Sequence, residues 1–512
     1  MKAVSPESCR AAERHAMELF GLQEDVLMER ASWGAWEVFR GLSPQARRLV
    51  VLCGPGSNGG DGLALARHAW VAGICPRVVR VGNDPAPEST SGRQLSILRK
   101  MGVESVGWQD FRRSDDFLGE HDSVAVDALF GTGLKRPLQG DAAEAARWLS
   151  ARPTLALDLP SGLDGATGQP LGGCVKAVAT VTFARAKPGL FLHPGRDYAG
   201  TVHVVEIGIP ADSWQFAGGG VEILDRQWAS NRLKPRPRGS HKGAAGRGFL
   251  LCGSDAYLGA AVMSSSAALR SGLGLLQVGS TESVASRIAM VLPEAMGMVA
   301  IGEAVDRPDL AKRIARSDAV LAGPGLGQSS EAFAALQMVL DAANSPLVLD
   351  ADALNLCALH SSLREQLERI ASAHGAVLTP HPLEASRLLE CGLEVLLADP
   401  IAAARSLADR FGAVAIFKSA TPVVASPDGQ VAIGIAGHSG MAVGGCGDAL
   451  AGAVLARLAE GETAFDAACQ AVRAHARAGD LAGEKGRRGM SVTDLIAQLP
   501  AAWEEMEIAP SV

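Results

Sequence analysis

The chain has 512 residues, more than one hydrophobic core normally serves, so two or more domains are expected. Apolar residues make up 47% and charged residues 20%, and a formal net charge of -7 excludes a broad basic field for nucleic acid or an anionic membrane surface. The 9 cysteines form no C-x-x-C or Cys/His cluster, no signal core opens the chain and no apolar run spans a bilayer, so the expectation is a cytoplasmic protein without structural zinc, nucleic-acid or membrane partners.

Helical material runs from Ser5 to Phe39. Strands are predicted at Arg47–Gly54, Pro76–Gly82, Ser123–Leu129 and Pro153–Pro160, with helices at Leu63–Ala72 and Asp141–Ser150 and a β-rich tail ending at Pro210. Apolar runs alternating with amphipathic helices imply a mainly parallel sheet covered on both faces. GPGSNGGDG (Gly54–Gly62) falls between a strand and a helix, where open α/β sheets bind ligands. It is neither the dinucleotide fingerprint nor a P-loop. It reads either as a plain tight turn or as a phosphate cradle in which Asn58 and Asp61 offer oxygens to a hard cation.

Two later strand ends carry similar groups. VDALFGTGLKRP places Asp127 before a glycine loop with Lys135 and Arg136, and LDLPSGLDG places Asp158, Ser161 and Asp164 on a turn. A parallel sheet brings these three loops to one edge, a set that suits a monovalent cation beside acid/base groups.

A break follows near residues 211–222, where glycines 218–220 are flexible and prolines 235 and 237 exclude regular helix. Domains are therefore expected at 1–215 and 222–512. The second opens with strand Gly248–Ser254 and helix Ala260–Ser271. Strands Leu275–Ser280, Asp318–Gly325 and Pro346–Leu354 follow, then GAVLTPHP and AVAIFKSA, and helices close the chain from Asp448. VGGCGDALAGA (Val443–Ala453) sets Gly444, Gly445 and Gly447 around Asp448 at a helix start, a site for a developing anion with a carboxylate placed to take a proton. Lys418 at a strand end is suited to nucleotide phosphate. His381, fixed between prolines, is a ligand-contact residue or a structural one. Glu384, Asp350 and Asp352 are possible supporting groups.

GPGSNGGDG, VDALFGTGL, DLPSGLDG and TFARAKPGLFLHPGR together resemble the NAD(P)H-hydrate epimerase family over nearly all of residues 1–210. The resemblance implies potassium held by Asn58, Asp127 and Ser161. It implies contacts to the hydrated nucleotide from Ser57, Asn58, Gly59, Gly60, Asp61, Gly131, Thr132, Gly133, Leu134, Lys135, Arg136, Pro137 and Asp158. Asp158, supported by Lys135, is the expected acid/base group. Serine stands at Ser57 where the family usually has asparagine, so altered contacts are expected.

The second half, from Ser240 through AGPGLG, LDADALN, TPHPLEASRLL and FKSATPVVASPDG, is similar to the ADP-dependent NAD(P)H-hydrate dehydratases, a branch of the ribokinase-like fold. That implies adenine-nucleotide contacts from Lys418, Ser419, Ala420, Thr421, Pro422 and Gly447. It implies hydrate contacts from Ala260, Gly327, His381 and Asp448, with Asp448 as base. Ser419 replaces the family's glycine and could crowd the approach to phosphate. The expected fold class is α/β with two domains, a Rossmann-like three-layer α/β/α domain followed by a ribokinase-like α/β/α domain. The expected ligands are NADHX and NADPHX, ADP, magnesium and potassium, and the expected assembly is a homo-oligomer. The competing reading is a ribokinase-like small-molecule kinase fused to a non-catalytic Rossmann-like interaction domain.

Overall fold

The computed structural model describes residues 1–113, 123–233 and 235–507; Lys234, in the Pro/Gly/Arg-rich stretch, lies outside them. Two compact units form, one of Lys2–Val221 and one of Glu222–Val512 with Met1. No helix among the described residues is long and apolar enough to cross a membrane.

The first unit is built on a parallel sheet in the order Ser105–Gly107, Cys75–Arg80, Arg48–Cys53, Ser123–Ala128, Thr154–Leu157, Ala179–Phe183, Thr201–Val205. Alternation along a strand sends successive side chains to opposite faces. Leu49, Val51 and Cys53 accordingly join one core with Leu63, Leu65 and Phe39, while Val50 and Leu52 join another with Phe111 and Leu149. Both faces are covered, which accounts for the uninterrupted apolar runs. The chain reverses its direction of travel across the sheet between Arg48–Cys53 and Ser123–Ala128. The connections after these two strands part there and leave a crevice at their carboxyl ends.

The expected Ser5–Phe39 helix is two, Pro6–Phe20 and Glu24–Leu42, separated at Gly21 by a left-handed cap. The expected turn Ser57–Asp61 is helical, because the helix opens at Ser57 rather than Leu63.

The second unit has a parallel core of Ala376–Leu378, Leu347–Leu349, Ala319–Ala322, Arg247–Leu251, Leu275–Ser280 and Ala295–Val299. Val414–Phe417 extends it in parallel, and the hairpin Val423–Ala425/Val431–Ile433 continues it antiparallel. The helices Leu258–Arg270, Cys446–Ala459, Ala464–Gly483 and Val492–Glu507 share one core with Leu250, Val278, Leu321, Val348 and Ile416.

Candidate active sites

A cavity of ≈ 880 Å³ opens at the crevice of the first unit. Its walls come from four strand ends: Pro55–Asn58 and Asp61, Leu129–Arg136, Asp158, and Phe183 with Lys187. Cys9, Arg10, Glu13 and Met17 of the first helix close it. The loop Gly131–Thr132 lies hard against the chemistry, since a Cβ on Gly131 would sit 2.6 Å from Asp158 Oδ2 and 3.4 Å from Asn58 Cγ.

Asp127 is fully buried and accepts from the Ser161 hydroxyl at 2.6 Å, the Ser161 N–H at 2.7 Å and the Leu129 N–H at 3.2 Å. Burial pushes its carboxyl up to about 6 against the pull of those donors. A buried carboxylate normally has a cation for company, and among the described residues none pairs with Asp127. In the cavity wall, which Asp127 itself does not line, the Asn58 amide is buried with neither its oxygen nor its nitrogen bonded. A buried anion without a counter-ion and an orphaned amide oxygen fit a bound monovalent cation.

Asp158 occupies a left-handed backbone conformation, φ 64°, at the centre of a γ-turn closed by the Leu159 N–H on the Leu157 carbonyl at 2.8 Å. Such strain collects at functional sites. Its Oδ2 accepts from the Thr132 N–H at 3.1 Å and its Oδ1 from Lys187 Nζ at 2.6 Å. The lysine beside Asp158 is thus Lys187, and this corrects the expectation for Lys135. Lys135 is 74% exposed at the cavity rim, 3.8 Å from Glu7. Its side chain pairs with Glu7 of the first helix and makes no hydrogen bond to Asp158.

Lys135 and Arg136 still line the cavity, whereas Gly59, Gly60, Pro137, Asp127 and Ser161 are not among its walls. Gly59 packs on Gly54 and Gly60 on Met28 and Ser91, so their missing side chains serve helix packing. Ser57 lines the cavity and donates to Glu24. Sequence reasoning missed Glu13 and Lys187. Burial first, then Asp158, pushes Glu13 up to about 6, partly offset by Lys187. Burial first, then repulsion from Asp158 and Glu13, raises Asp61 well above the usual carboxylate range.

In the second unit the parallel strand ends again carry the polar groups. Asp350, 1% exposed, follows Leu347–Leu349 and accepts from Lys418 Nζ at 2.6 Å and Thr379 Oγ1 at 2.7 Å. Lys418 sits against the start of helix Cys446–Ala459, where a Cβ on Gly447 would lie 3.1 Å from Nζ. Gly445, at φ 93°, caps that helix, so Asp448 lies in its first turn rather than at the cap. Burial first, then Asp350, pushes Asp448 up to about 7, with Lys418 opposing. The helix start offers backbone N–H groups and a positive dipole end to an anion.

His381 caps helix Pro382–Leu389, with Nδ1 accepting from the Leu383 and Glu384 N–H groups and Glu384 returning a bond to the His381 N–H. The structural character of this histidine is thus evident: Nδ1 caps the helix, Nε2 lies 3.2 Å from Glu384 Oε1, and the ring is 45% exposed. Burial, then Lys418, lowers its basicity, and burial pushes Glu384 up to about 7. Gly327 donates its N–H to Asp352 at 2.8 Å, and Ala260 packs against Gly325 of the same loop. Ser419 turns its hydroxyl back onto the Thr421 carbonyl at 2.6 Å and closes the Lys418–Pro422 turn. The exposed Ala420 and the buried Thr421 complete that turn.

Comparison with known proteins gives the same division. Residues 249–501 match the NAD(P)H-hydrate dehydratase family model and residues 24–189 that of the YjeF-related protein N-terminus. The chain is 36% identical to the bifunctional NAD(P)H-hydrate repair enzyme Nnr of Escherichia coli K12, covering 96% of this chain and 92% of that one. It is 34% identical to the enzyme of the same name from Moorella thermoacetica, covering 97% and 95%. Among solved structures, an ADP/ATP-dependent NAD(P)H-hydrate dehydratase from Bacillus subtilis, co-crystallised with ATP and magnesium, is 30% identical and covers 56% of this chain and 99% of that one, with a TM-score of 0.48.

Proposed function

The chain belongs to the family of bifunctional NAD(P)H-hydrate repair enzymes, and we propose that its first unit epimerises the hydrated nicotinamide nucleotide while its second dehydrates it. The reaction pair regenerates NADH or NADPH: R- and S-NAD(P)HX are interconverted, and the S form loses water. The observation that carries the residue assignment is the convergence of Asp158, Asn58 and the Gly131–Thr132 loop on one cavity.

In the first unit Asp158 does the acid/base work at the C6 hydroxyl of the nicotinamide ring. Asn58, Asp127 and Ser161 are the residues that would hold potassium, which would supply fixed positive charge. In the second unit ADP binds with its phosphates over the Gly444–Gly447 turn and beside Lys418. Lys418 donates to Asp350 alone among the described residues, so it has protons to spare for phosphate. Magnesium would be carried by the nucleotide phosphates, whose charge it would help to neutralise.

Asp448 takes the proton of the C6 hydroxyl as its oxygen attacks the terminal phosphorus, and AMP leaves with the bridging electron pair. The C6–O bond then breaks with phosphate as the leaving group, driven by the N1 lone pair. Loss of a C5 proton sets the C5=C6 double bond. The turn's N–H groups meet the charge on the transferring group.

The test is an R/S hydrate mixture with ADP, magnesium and potassium, followed by recovery of reduced-nicotinamide absorbance. A phosphorylated alcohol accumulating from ATP without that recovery would support a kinase and sink the proposal. The pH dependence has a definite sign. Asp448 must be ionised to act as base and its carboxyl is pushed up to about 7. Dehydration of the S form therefore rises with pH below about 7 and levels above it. A rate falling through that range would exclude Asp448 as the base.

A further inference from the structure

Lys187 Nζ donates to Asp158 Oδ1 at 2.6 Å, to Thr182 Oγ1 at 3.1 Å and to the Phe183 carbonyl at 3.0 Å. Three acceptors use all three protons of an ammonium. Its side chain is 2% exposed. Such a lysine has no proton left for a substrate, in contrast to the 17% exposed Lys418.

The backbone enforces the pairing. Asp158 sits in its γ-turn after Thr154–Leu157, and the neighbouring strand Ala179–Phe183 ends in a second one. There Ala184 has φ 63° and the Arg185 N–H donates to the Phe183 carbonyl at 2.7 Å. The two turns present Asp158 and the segment carrying Lys187 side by side. With Oδ1 enclosed by Lys187 and the buried Thr182, Oδ2 is the oxygen left beside the Gly131–Thr132 wall.

We propose that Lys187 is a positioning residue for epimerisation, fixing the Asp158 carboxylate so that Oδ2 faces the substrate hydroxyl. The inference rests on the reading of this unit as the epimerase and of Asp158 as its acid/base group. A misplacement of about 1 Å costs roughly 10²-fold in rate. Charge adds to direction, because a buried carboxylate deprived of its cation is harder to ionise.

The experiment uses the full chain with Lys187→Met, Lys187→Arg and Thr182→Val, assayed for conversion of the R hydrate over a pH series. Lys187→Met is expected to lower kcat by roughly 10- to 100-fold, leave KM within a few-fold and move the acid limb to higher pH. Lys187→Arg should restore the pH profile but only part of kcat, since a planar fork cannot reach the same three acceptors. Dehydration of the S hydrate by the same chain reports that the other unit is intact, and a thermal melt reports on the first. If Lys187→Met melts out, Thr182→Val, which keeps both charges, is still expected to lower kcat several-fold without moving the pH limb.

Wild-type kcat and pH profile in Lys187→Met, or in Thr182→Val if the first variant unfolds, would overturn the inference. Asp158→Asn separates the two levels. If it still converts the R form, the reading of Asp158 fails; if it is inactive while Lys187→Met is fully active, only the role of Lys187 fails.

Discussion

Asp448→Ala is expected to regenerate no reduced nicotinamide from either epimer while leaving the interconversion of R and S forms intact. Asp448 is the one carboxylate in the first turn of the helix whose start faces Lys418. A positioned general base contributes about 10²–10⁴-fold, so the S-form rate should fall by at least about 10²-fold. A folding defect is not the expected cause. Burial and Asp350 both disfavour the ionised Asp448, so removing the carboxylate relieves repulsion, and the melting temperature should hold or rise. Asp448→Asn keeps the volume and should lose the same activity. The measurement is S-hydrate turnover beside a thermal melt. Normal turnover by either variant would remove Asp448 from the mechanism.

Asp158→Ala is expected to repair the S form at the wild-type rate and to leave the R form to slow spontaneous epimerisation. The progress curve on a mixture should split into a fast phase matching the S share and a slow phase for the rest. The variant strips the partner from a buried ammonium, and breaking a buried pair typically costs about 3–5 kcal/mol. The first unit should therefore melt earlier. Asp158→Asn, which still accepts a hydrogen bond from Lys187, should melt closer to wild type yet show the same two phases. A single fast phase in either variant would show that Asp158 is not needed.

The carboxylates and glycine loops were legible because in a parallel sheet they follow their strands directly, and strand ends converge. Asp127, Asp158, Asp350 and Lys418 could be placed from that rule, and Asp448 from the glycine turn that opens its helix. Lys187 and Glu13 could not, since topology rather than spacing brings them to the cavity. Lys187 left one signal, a lysine shortly after a wholly buried strand. Lys135 as the support of Asp158 is an expectation from the family resemblance, and its place in the sequence carries no information on which lysine packs beside Asp158. The helix over Ser57–Gly62 runs against glycine's poor propensity. Close packing on Gly54 and Met28 overrides it, and no local pattern announces that contact. The hairpin after Phe417 carries a turn signal at Pro427-Asp428-Gly429, although no strand is expected there from the sequence.

The left-handed backbone at Asp158 means that this position carries a local strain that its surroundings must offset. A non-glycine residue held there costs about 1–2 kcal/mol. Glycine would give that back. Asp158→Gly and Asp158→Ala both lose the carboxylate, so their difference isolates the backbone. The glycine variant should melt higher than the alanine variant, and equal melting would mean the turn relaxes once the carboxylate is gone. The gain from glycine is smaller than the cost of losing the buried Lys187 partner, so durability as well as activity keeps aspartate at this site. A stabilised version of the enzyme is best sought elsewhere in the chain, with this residue left strained.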